Sequence, residues 1–458
     1  MEADIPPRGA RVTPEPRRID ALVAEIGSTT TVVSAFDGLA GFPQTTPHLL
    51  GQGFAATSVG EGDVGIGLDA ARTMLEGKLG PLASDVTVAT SSAAGGLRMT
   101  VHGLTQKMTA MAAREAALGA GAVVRYQTAG KLRDGDLREI EAVRPNLVLL
   151  AGGVEGGDAE VVLHNAQRLT ALMVRPVVVY AGNSVVAEEA RELLESAGFG
   201  VLITRNVYPA VDELDILPAR HVIHDAFEEH IIHAPGMERI GEWASGRILP
   251  TPGAVLIAAE LLASAEGDLV VVDVGGATTD VHSVTDGSPE IAAITLDPQP
   301  HAKRTVEGDL GTFVSAATVA ELLPPEQRPD PLPPALPATP AEIAAAALLA
   351  RTATVTGMQR HAGALTHLYT PTGRKTVARG RDLTACRLVV GTGGALTRLP
   401  GGIEMLRAAV GDGGERLLPP ADARIALDRD YVFACCGALA SRFPAEAVVA
   451  LMRRSMGE

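Results

Sequence analysis

The chain has 458 residues, of which 46% are hydrophobic and only 3% aromatic, and its formal net charge at pH 7 is −15. This length is too great for one ordinary domain, and the composition predicts a globular protein whose large cores are built from small aliphatic side chains. The negative charge and the lack of any Lys/Arg run argue against binding to nucleic acid.

The amino-terminal residues 1–18 contain prolines and charges but no apolar segment, so we expect a flexible tail rather than a secretory signal. No run of about twenty uncharged apolar residues follows, which predicts that the chain does not span a membrane and makes the cytoplasm the expected location. Cys386, Cys435 and Cys436 have no CxxC spacing and are interpreted as small buried thiols.

Strand-like and helix-like segments alternate along the chain from residue 19, which is typical of α/β architecture. Two strands, ALVAEI and TVVSAF, come first and are joined by GSTT. Further apolar runs of strand length follow, with helical patterns between them, at 86–90, 146–153, 176–182 and 200–205. We therefore predict a first domain over 19–250. It includes a small parallel α/β unit near 120–205, interpreted as an insertion that engages a partner.

A second domain is predicted over residues 251–458. A helical segment at its start leads into the strand-like run VVVDV, which is followed by GGATTDVHSV. The proline-rich segment 324–340 is incompatible with regular structure and predicts a semi-rigid connector. The Ala-rich segment after it predicts a helix with Thr339 as its N-cap and Pro340 as its first residue. The strand RLVVGTGG and a helical region complete the domain.

One strand–turn–strand pattern occurs in both predicted domains. Glu25-Ile-Gly-Ser-Thr-Thr follows the apolar run ALVA, and Asp273-Val-Gly-Gly-Ala-Thr-Thr-Asp follows LVVV. Each copy has an acidic residue near the end of the first strand, a glycine-containing turn, a threonine pair and a second strand. Two copies of one hairpin, far apart in the sequence, predict two domains of like fold that face each other.

The chemistry of these hairpins suits a phosphate. A glycine turn lets backbone N–H groups approach an anion, and hydroxyl groups add further donors. A carboxylate beside a phosphate requires a divalent cation between them, usually Mg²⁺. A single hairpin of this kind is more often a structural bulge, but two copies favour a binding site. The residues expected to contact the phosphates are Gly27, Ser28, Thr29, Thr30, Gly275, Gly276, Ala277, Thr278 and Thr279.

A third glycine cluster lies in VVGTGGALT, residues 389–397. A strand that runs into Gly391-Thr392-Gly393-Gly394 and then a helix presents bare backbone to a flat ring or a phosphate. Taken alone, the cluster is better explained as a tight strand–helix turn. With the two hairpins, Gly391, Thr392, Gly393 and Gly394 are candidate nucleotide contacts.

In order and spacing, these three segments resemble the nucleotide signature of the actin-like ATPase superfamily, which includes actin, sugar kinases and heat-shock chaperones. The resemblance implies two actin-like (ribonuclease H-like) α/β domains around an interdomain cleft that binds ATP and Mg²⁺. It assigns Asp273 and Glu25 to the metal, and Asp280 and Glu25 to catalysis, with Asp280 polarising the attacking water. Superfamily members usually carry Asp where this chain has Glu25, which fits slow hydrolysis better than a fast kinase.

Longer segments resemble a narrower family. DVGGATTDVHS, RTVEGDLG, SSAAGGLRMTVHGL and RNVYP are similar to the MutL or GlmL family, accessory proteins associated with coenzyme-B12-type glutamate mutases. The resemblance covers nearly the whole chain from about residue 20. It implies an ATP-binding chaperone or reactivating factor that couples ATP turnover to the release of damaged cobalamin from an adenosylcobalamin-dependent mutase. A homodimer is left open.

Two other functions on the same fold are alternatives. A small-molecule kinase needs a separate Asp to deprotonate the substrate hydroxyl, and no further motif announces one. A nucleotide-dependent filament or scaffold protein is the second alternative. A dehydratase activator is set aside, because the adjacent Cys435 and Cys436 lack the spacing for a shared iron–sulfur cluster.

Several other polar residues have weaker functional interpretations. His282 is interpreted as a packed strand residue rather than a second proton acceptor, and SSAAGG (91–96) could bind an anion at a helix N-terminus. Glu307 and Asp309 could complete the metal site or contact the nucleotide. HDAFEEHIIH could hold zinc but is better explained as a solvated helix; its candidate ligands are His224, Glu228, Glu229, His230 and His233.

Overall fold

The first sheet is built around the two strands predicted at the start of the chain. The computed structural model describes residues 15–27, 30–92, 97–232, 236–245, 248–296, 299–370, 373–411 and 413–458. The first elements are β1 (Arg17–Ile26), β2 (Thr30–Asp37), β3 (His48–Ala56), α1 (Val64–Leu79) and β4 (Leu82–Ser91). β1, β2 and β3 form an antiparallel meander, and β4 pairs in parallel with the other edge of β1. β1 starts before the predicted end of the tail, since the Arg17 amide donates to the Pro81 carbonyl.

The inserted unit is a second sheet in which every strand pair is parallel. Its elements are β5 (Arg98–Gly103), α2 (Thr109–Gly119), β6 (Val123–Ala129), α3 (Asp134–Val143), β7 (Leu147–Leu150), α4 (Glu160–Leu169), β8 (Val177–Tyr180), α5 (Ala187–Ser196) and β9 (Val201–Ile203). The strand order is β6-β5-β7-β8-β9. The unit begins at β5, earlier than the predicted start near 120, because β5 pairs with both β6 and β7.

Two helices return the chain to the first sheet. α6 (Leu217–Ile232) and α7 (Glu238–Trp243) lead to β10 (Ile248–Pro250), which pairs in parallel with β4. The first sheet therefore has the order β10-β4-β1-β2-β3. α8 (Thr251–Glu266) follows at once and leads into the second half of the chain.

The third sheet repeats the strand order of the first. Its half of the chain contains β11 (Leu269–Val274), β12 (Thr279–Val284), α9 (Pro289–Ala292), β13 (Ala302–Glu307), α10 (Ala316–Glu321), α11 (Pro340–His361), β14 (Ala364–Thr370), β15 (Gly373–Arg379), β16 (Leu388–Thr392), α12 (Gly394–Thr397), α13 (Gly402–Arg407), β17 (Arg424–Leu427), α14 (Phe433–Leu439) and α15 (Ala445–Met456). The order is β13-β12-β11-β16-β17, with β14 and β15 as a separate hairpin. In both sheets an antiparallel meander continues into two parallel strands, which confirms the predicted fold class of two actin-like α/β domains.

Local signals at α11 and at the cysteines agree with the structure. The Thr339 hydroxyl accepts the Glu342 amide at 3.3 Å, and the Glu342 carboxylate accepts the Thr339 amide at 3.0 Å. This reciprocal capping confirms the predicted helix start. The segment 324–340 before it contains one short 3₁₀ turn, Pro325–Gln327. The three cysteines are buried and free, as predicted.

One hydrophobic core joins the first and third sheets. It contains residues of β1, α8, β11 and β16 together with the carboxyl-terminal helices α14 and α15. Gly437 of α14 lies so close to α8 that a Cβ would sit 1.8 Å from the Ala254 carbonyl oxygen. Glycine is therefore required where the two helices cross. Of the helices in the described part of the chain, none is long and apolar enough to cross a membrane.

Candidate functional site

Equivalent backbone hydrogen bonds close the two predicted hairpins. In the first, the Gly27 amide donates to the Thr30 carbonyl at 3.0 Å, and in the second the Gly275 amide donates to the Thr278 carbonyl at 2.9 Å. The strand register makes Glu25 equivalent to Asp273, because Glu25 pairs with Val32 and Asp273 with Asp280. Ser28 and Thr29 lie outside the described residues.

The second turn exposes amides rather than carbonyls. The Gly275 carbonyl accepts the Thr312 amide and the Gly276 carbonyl accepts the Phe313 amide, so the following loop braces the turn from its carbonyl side. The amides of Gly276 and Ala277, in contrast, donate to no acceptor within the described part of the chain. Unused amides on a glycine turn are the arrangement that an anion requires.

Not every predicted phosphate contact has an available side chain. Thr279 is fully buried and its hydroxyl donates to the Leu310 carbonyl at 2.7 Å, so its side chain is committed to the fold. Thr278 donates to Asp280 at 3.1 Å. Thr30 remains partly exposed at the first turn.

Glu25 and Asp273 end equivalent strands and interact electrostatically. Burial raises the pKa of Asp273 to about 8, and the charges of Asp280 and Glu25 add to this rise. Burial likewise raises the pKa of Glu25 to about 7, although a hydrogen bond from Tyr431 opposes the rise. Carboxylates that repel one another in a sheltered site are the groups that a bound cation would stabilise.

A magnesium ion fits this pair of carboxylates. Among the described residues, no group of three or more His, Cys, Asp or Glu side chains is placed to hold a metal unaided. Magnesium bound with a nucleotide needs only one or two protein carboxylates, because waters and phosphate oxygens complete its octahedron. Asp273 makes no side-chain hydrogen bond to another described residue and is partly exposed, so its oxygens are open to such an ion. We therefore retain Asp273 and Glu25 as the candidate metal residues.

Asp280 is placed differently from its predicted role. It is 4% exposed, and Arg304, itself 2% exposed, donates from Nε to its Oδ1 at 2.8 Å. The Thr278 hydroxyl donates to its other oxygen. Both oxygens of Asp280 thus accept hydrogen bonds within the fold, which favours a positioning role for Asp280 over polarisation of water. Arg304 was not identified from the sequence as a partner of this acid.

The third glycine cluster divides into a buried and an open half. Gly391 lies in β16 among leucine side chains, and Thr392 is 3% exposed with its hydroxyl donating to Asp428 at 2.9 Å. These two predicted nucleotide contacts are therefore part of the core. Gly393 has φ +84°, and a Cβ there would lie 2.4 Å from the Asp273 carboxylate. A Cβ on Gly394 would meet open space.

Tyr431 and Arg398, in the last part of the chain, also belong to the site, although the sequence analysis did not identify them. The Tyr431 hydroxyl donates to Glu25 Oε1 at 2.6 Å and so joins the two domains. Tyr431 has φ +53°, a conformation that is uncommon outside glycine and asparagine. The Arg398 guanidinium lies 4.7 Å from the Phe54 ring centroid and 5.8 Å from that of Tyr431. An exposed cation stacked between rings beside Glu25 can contact a phosphate or a base.

Asp428 anchors this segment. It is fully buried and accepts hydrogen bonds from the Thr392 and Ser455 hydroxyls and from the amides of Val432 and Phe433. Asp428 directly follows the short parallel strand β17, and this position at the carboxyl end of a strand could have identified it from the sequence as a candidate site residue. The carboxylate thus fixes the turn that carries Tyr431.

The remaining candidates lie away from the hairpins or have other partners. His282 is fully buried, has no hydrogen-bond partner among the described residues, and burial lowers its pKa far below the usual value; the interpretation as a packed residue is confirmed. Glu307 and Asp309 both accept from Arg360 at 2.8 Å. Residues 93–96 and His233 lie outside the described residues.

Comparisons with known proteins agree on one family. A family model described as MutL protein matches residues 21–456. A protein named MutL from Clostridium tetanomorphum is 36% identical over 462 residues, which cover 93% of this chain and 97% of that protein.

Solved structures give weaker similarities. Nucleotide-free acetone carboxylase aligns with a TM-score of 0.35 and 12% identity, over 92% of this chain and 70% of that one. A diol dehydratase-reactivating factor in nucleotide-free form gives 0.32 and 12%, over 96% and 100%. Xylulose kinase from Bifidobacterium adolescentis gives 0.28 and 13%, over 96% and 94%. At these scores the fold assignment depends on the duplicated strand order.

Proposed function

The chain belongs to the MutL protein family, and from that premise we propose that it is an ATP-dependent accessory protein of an adenosylcobalamin-dependent mutase of the glutamate mutase type. In this proposal the protein acts as a chaperone or reactivating factor and hydrolyses ATP slowly. The family membership supports the service role, and the hairpin geometry supports the nucleotide.

The single observation that carries the nucleotide assignment is the equivalence of Glu25 and Asp273. Each lies near the end of the first strand of a hairpin in which a glycine amide donates to the carbonyl three residues later. The two carboxylates belong to different domains, yet the charge of Glu25 contributes to the raised pKa of Asp273. Such a pair suits a cation-bound polyphosphate between the two turns.

In the proposed complex the amides of Gly276 and Ala277 would donate to phosphate oxygens. Glu25 and Asp273 would hold Mg²⁺, largely through waters, and the ion would neutralise phosphate charge. Arg398 would contact the nucleotide from the rim of the site, where it stacks on Phe54.

The residues that contact Asp280 and Glu25 predict slow hydrolysis of ATP. Arg304 and Thr278 engage both oxygens of Asp280, the residue that the superfamily resemblance assigns to water activation. Tyr431 occupies one oxygen of Glu25. A slow nucleotide cycle suits a factor that remodels a partner protein. Neither the kinase nor the filament alternative gains an observation from the described residues.

Binding of ATP to purified protein, with and without Mg²⁺, tests the nucleotide assignment. Asp273→Ala should lower the affinity for Mg-ATP by about tenfold or more, because a charged contact contributes roughly 1.5–3 kcal/mol. In EDTA, where no Mg²⁺ is present, Asp273→Ala and the wild type should bind ATP with similar affinity. Asp422→Ala, which removes an acid with an 80% exposed side chain, is the control and should bind like the wild type. Equal Mg-ATP affinity and turnover in Asp273→Ala would overturn the assignment.

A separate assay tests the proposed role as a reactivating factor of the mutase. Mutase holoenzyme carrying inactivated cobalamin is incubated with the protein and Mg-ATP, and release of the corrinoid is followed by its absorbance. ATP-dependent release supports the proposal. Normal Mg-ATP binding without release from the mutase would reject the partner and leave the nucleotide site intact.

A further inference from the structure

A cavity of about 400 Å³ lies where the inserted unit, β13 and the end of α11 meet. It shares no lining residue with the glycine hairpins. We call it the basic pocket; its lining includes one carboxylate, Glu307, and six cationic residues, Arg114, Lys303, Arg360, Arg379, Arg381 and Arg416. So many cations around one cavity are unexpected in a chain whose formal net charge is −15.

The alternation of β13 separates this pocket from the acids of the candidate nucleotide site. Lys303 and Thr305 line the pocket, whereas Arg304 between them turns to Asp280. Successive side chains of a strand point to opposite faces. β13 therefore contributes side chains both to the basic pocket and to the candidate nucleotide site.

Close backbone crossings bring the arginines together. The Gly363 amide donates to the Arg381 carbonyl at 2.6 Å. A Cβ on Gly363 would lie 2.5 Å from the Arg379 carbonyl oxygen, so glycine is needed for the end of α11 to approach β15 this closely. An antiparallel β-bridge between the backbones of Arg416 and Ala364 brings Arg416 to the pocket. The pocket is thus held by rigid elements of the domain.

Protein carboxylates neutralise only some of these cations. Lys303 pairs with Glu115 at 3.0 Å, and Arg114 lies 3.7 Å from the same carboxylate. Arg360 pairs with Glu307 and Asp309. These pairs account for three of the six cations, and Glu307 itself lines the pocket.

Two of the remaining cations, Arg381 and Arg416, donate hydrogen bonds only to neutral acceptors among the described residues. Arg416 donates to the Ala362 carbonyl at 3.4 Å, a contact that the carbonyl end of α11 explains. Arg381 is 3% exposed and donates to Ser283 and to the carbonyls of Pro300 and His301. Burial lowers its pKa to about 10. Glu115, Asp286 and Asp268 act on Arg381 through their charges and oppose this shift, and an anion in the adjoining cavity would add to that stabilisation.

We propose that the basic pocket binds a small ligand that carries a phosphate or pyrophosphate group. Guanidinium forks match phosphate oxygens bidentately, and the cavity is of the size of small-ligand sites. Thr305 and His361 supply polar atoms beside the cations, with the Thr305 hydroxyl 2.9 Å from His361 Nδ1. Arg416 is exposed and is the guanidinium most open to such an anion, whereas Arg381 would act on it through its charge.

Calorimetric titration of the full chain with inorganic pyrophosphate in EDTA tests the proposal. No nucleotide is added, because ATP carries the phosphate groups that the basic pocket is proposed to bind, and EDTA removes the Mg²⁺ on which the candidate nucleotide site depends. The double variant Arg114→Ala/Arg416→Ala should lower the pyrophosphate affinity by about tenfold or more. The control Arg138→Ala/Arg407→Ala removes two exposed arginines elsewhere and should bind like the wild type. Circular dichroism melting confirms that each variant is folded.

Three outcomes would overturn the proposal. The first is no heat of binding up to millimolar pyrophosphate. The second is equal affinity in the wild type and the pocket variant, which would place the binding elsewhere. The third is tighter, variant-sensitive binding of a poly-glutamate peptide than of pyrophosphate, which would make the pocket a site for an acidic protein segment.

Discussion

The acids of the candidate nucleotide site differ in their partners, and these partners explain their different protonation. Glu25 receives a hydrogen bond from Tyr431, whereas Asp273 has no such donor among the described residues. A hydrogen bond to the charged form lowers a carboxyl pKa, so the pKa of Glu25 rises to about 7 and that of Asp273 to about 8. At the residue scale the fold therefore tunes two equivalent carboxylates separately.

His102 shows the same effect of burial with the opposite sign. It is fully buried on β5 between the Thr128 and Thr100 hydroxyls, at 2.8 and 3.0 Å. Burial lowers its pKa from 6.5 to about 4, although the charge of Asp136 opposes the shift. Between these two pKa values the unfolded chain binds a proton that the folded chain does not. Stability is therefore lost as the pH falls through this window.

We predict a shallower pH dependence of stability for His102→Gln. From pH 8 to pH 5 this histidine should cost the wild type about 2 kcal/mol of unfolding free energy, and the variant should not lose this amount. Urea unfolding at pH 8, 6.5 and 5 measures both slopes. The difference at pH 8, where both side chains are neutral, gives the cost of the substitution itself. Parallel pH profiles would contradict the prediction.

At the scale of elements, the turn between β16 and α12 is fitted to the end of β11. Gly393 has φ +84° and packs against the Asp273 carboxylate and the Val274 backbone, whereas Gly394 begins α12 and faces open space. The two adjacent glycines thus have different reasons to be glycine. One is required by conformation and contact, and the other keeps the rim of the site open.

These neighbours form a matched pair of substitutions. Gly393→Ala should lower the unfolding free energy by about 2 kcal/mol or more, because it combines a strained φ with a Cβ 2.4 Å from Asp273. Gly394→Ala should change stability by less than about 0.5 kcal/mol. Chemical denaturation measures both. Equal destabilisation by the two changes would show that the described turn geometry is wrong.

At the scale of the whole molecule, Arg304 connects three parts of the protein. It pairs with Asp280 of β12, and its guanidinium also donates to the Leu118 and Ala122 carbonyls beside α2 of the inserted unit. The hydrogen bond between Tyr431 and Glu25 makes a second long-range connection. The inserted unit and the second hairpin are therefore coupled through one buried guanidinium.

Arg304→Met should destabilise the protein by about 3–5 kcal/mol, because it leaves Asp280 buried without its counter-ion. Arg360→Met is the matched control. Arg360 is 38% exposed and also pairs with carboxylates, so its loss should cost about 1 kcal/mol or less. Thermal unfolding compares the variants, and proteolysis of the native state should show earlier cleavage of the inserted unit only in Arg304→Met. Similar melting of both variants would refute the coupling.

The amino-acid sequence alone determined the repeated hairpins, the α/β class and the start of α11, because apolar runs, glycine turns and capping residues act over a few neighbouring positions. Only the tertiary structure decided how Asp280, Thr279, Gly391 and Thr392 are used. It also brought Tyr431 to Glu25 across 406 residues of sequence and placed β5 in the inserted sheet. A side chain's partner depends on which distant segments pack beside it, and no local pattern encodes that contact.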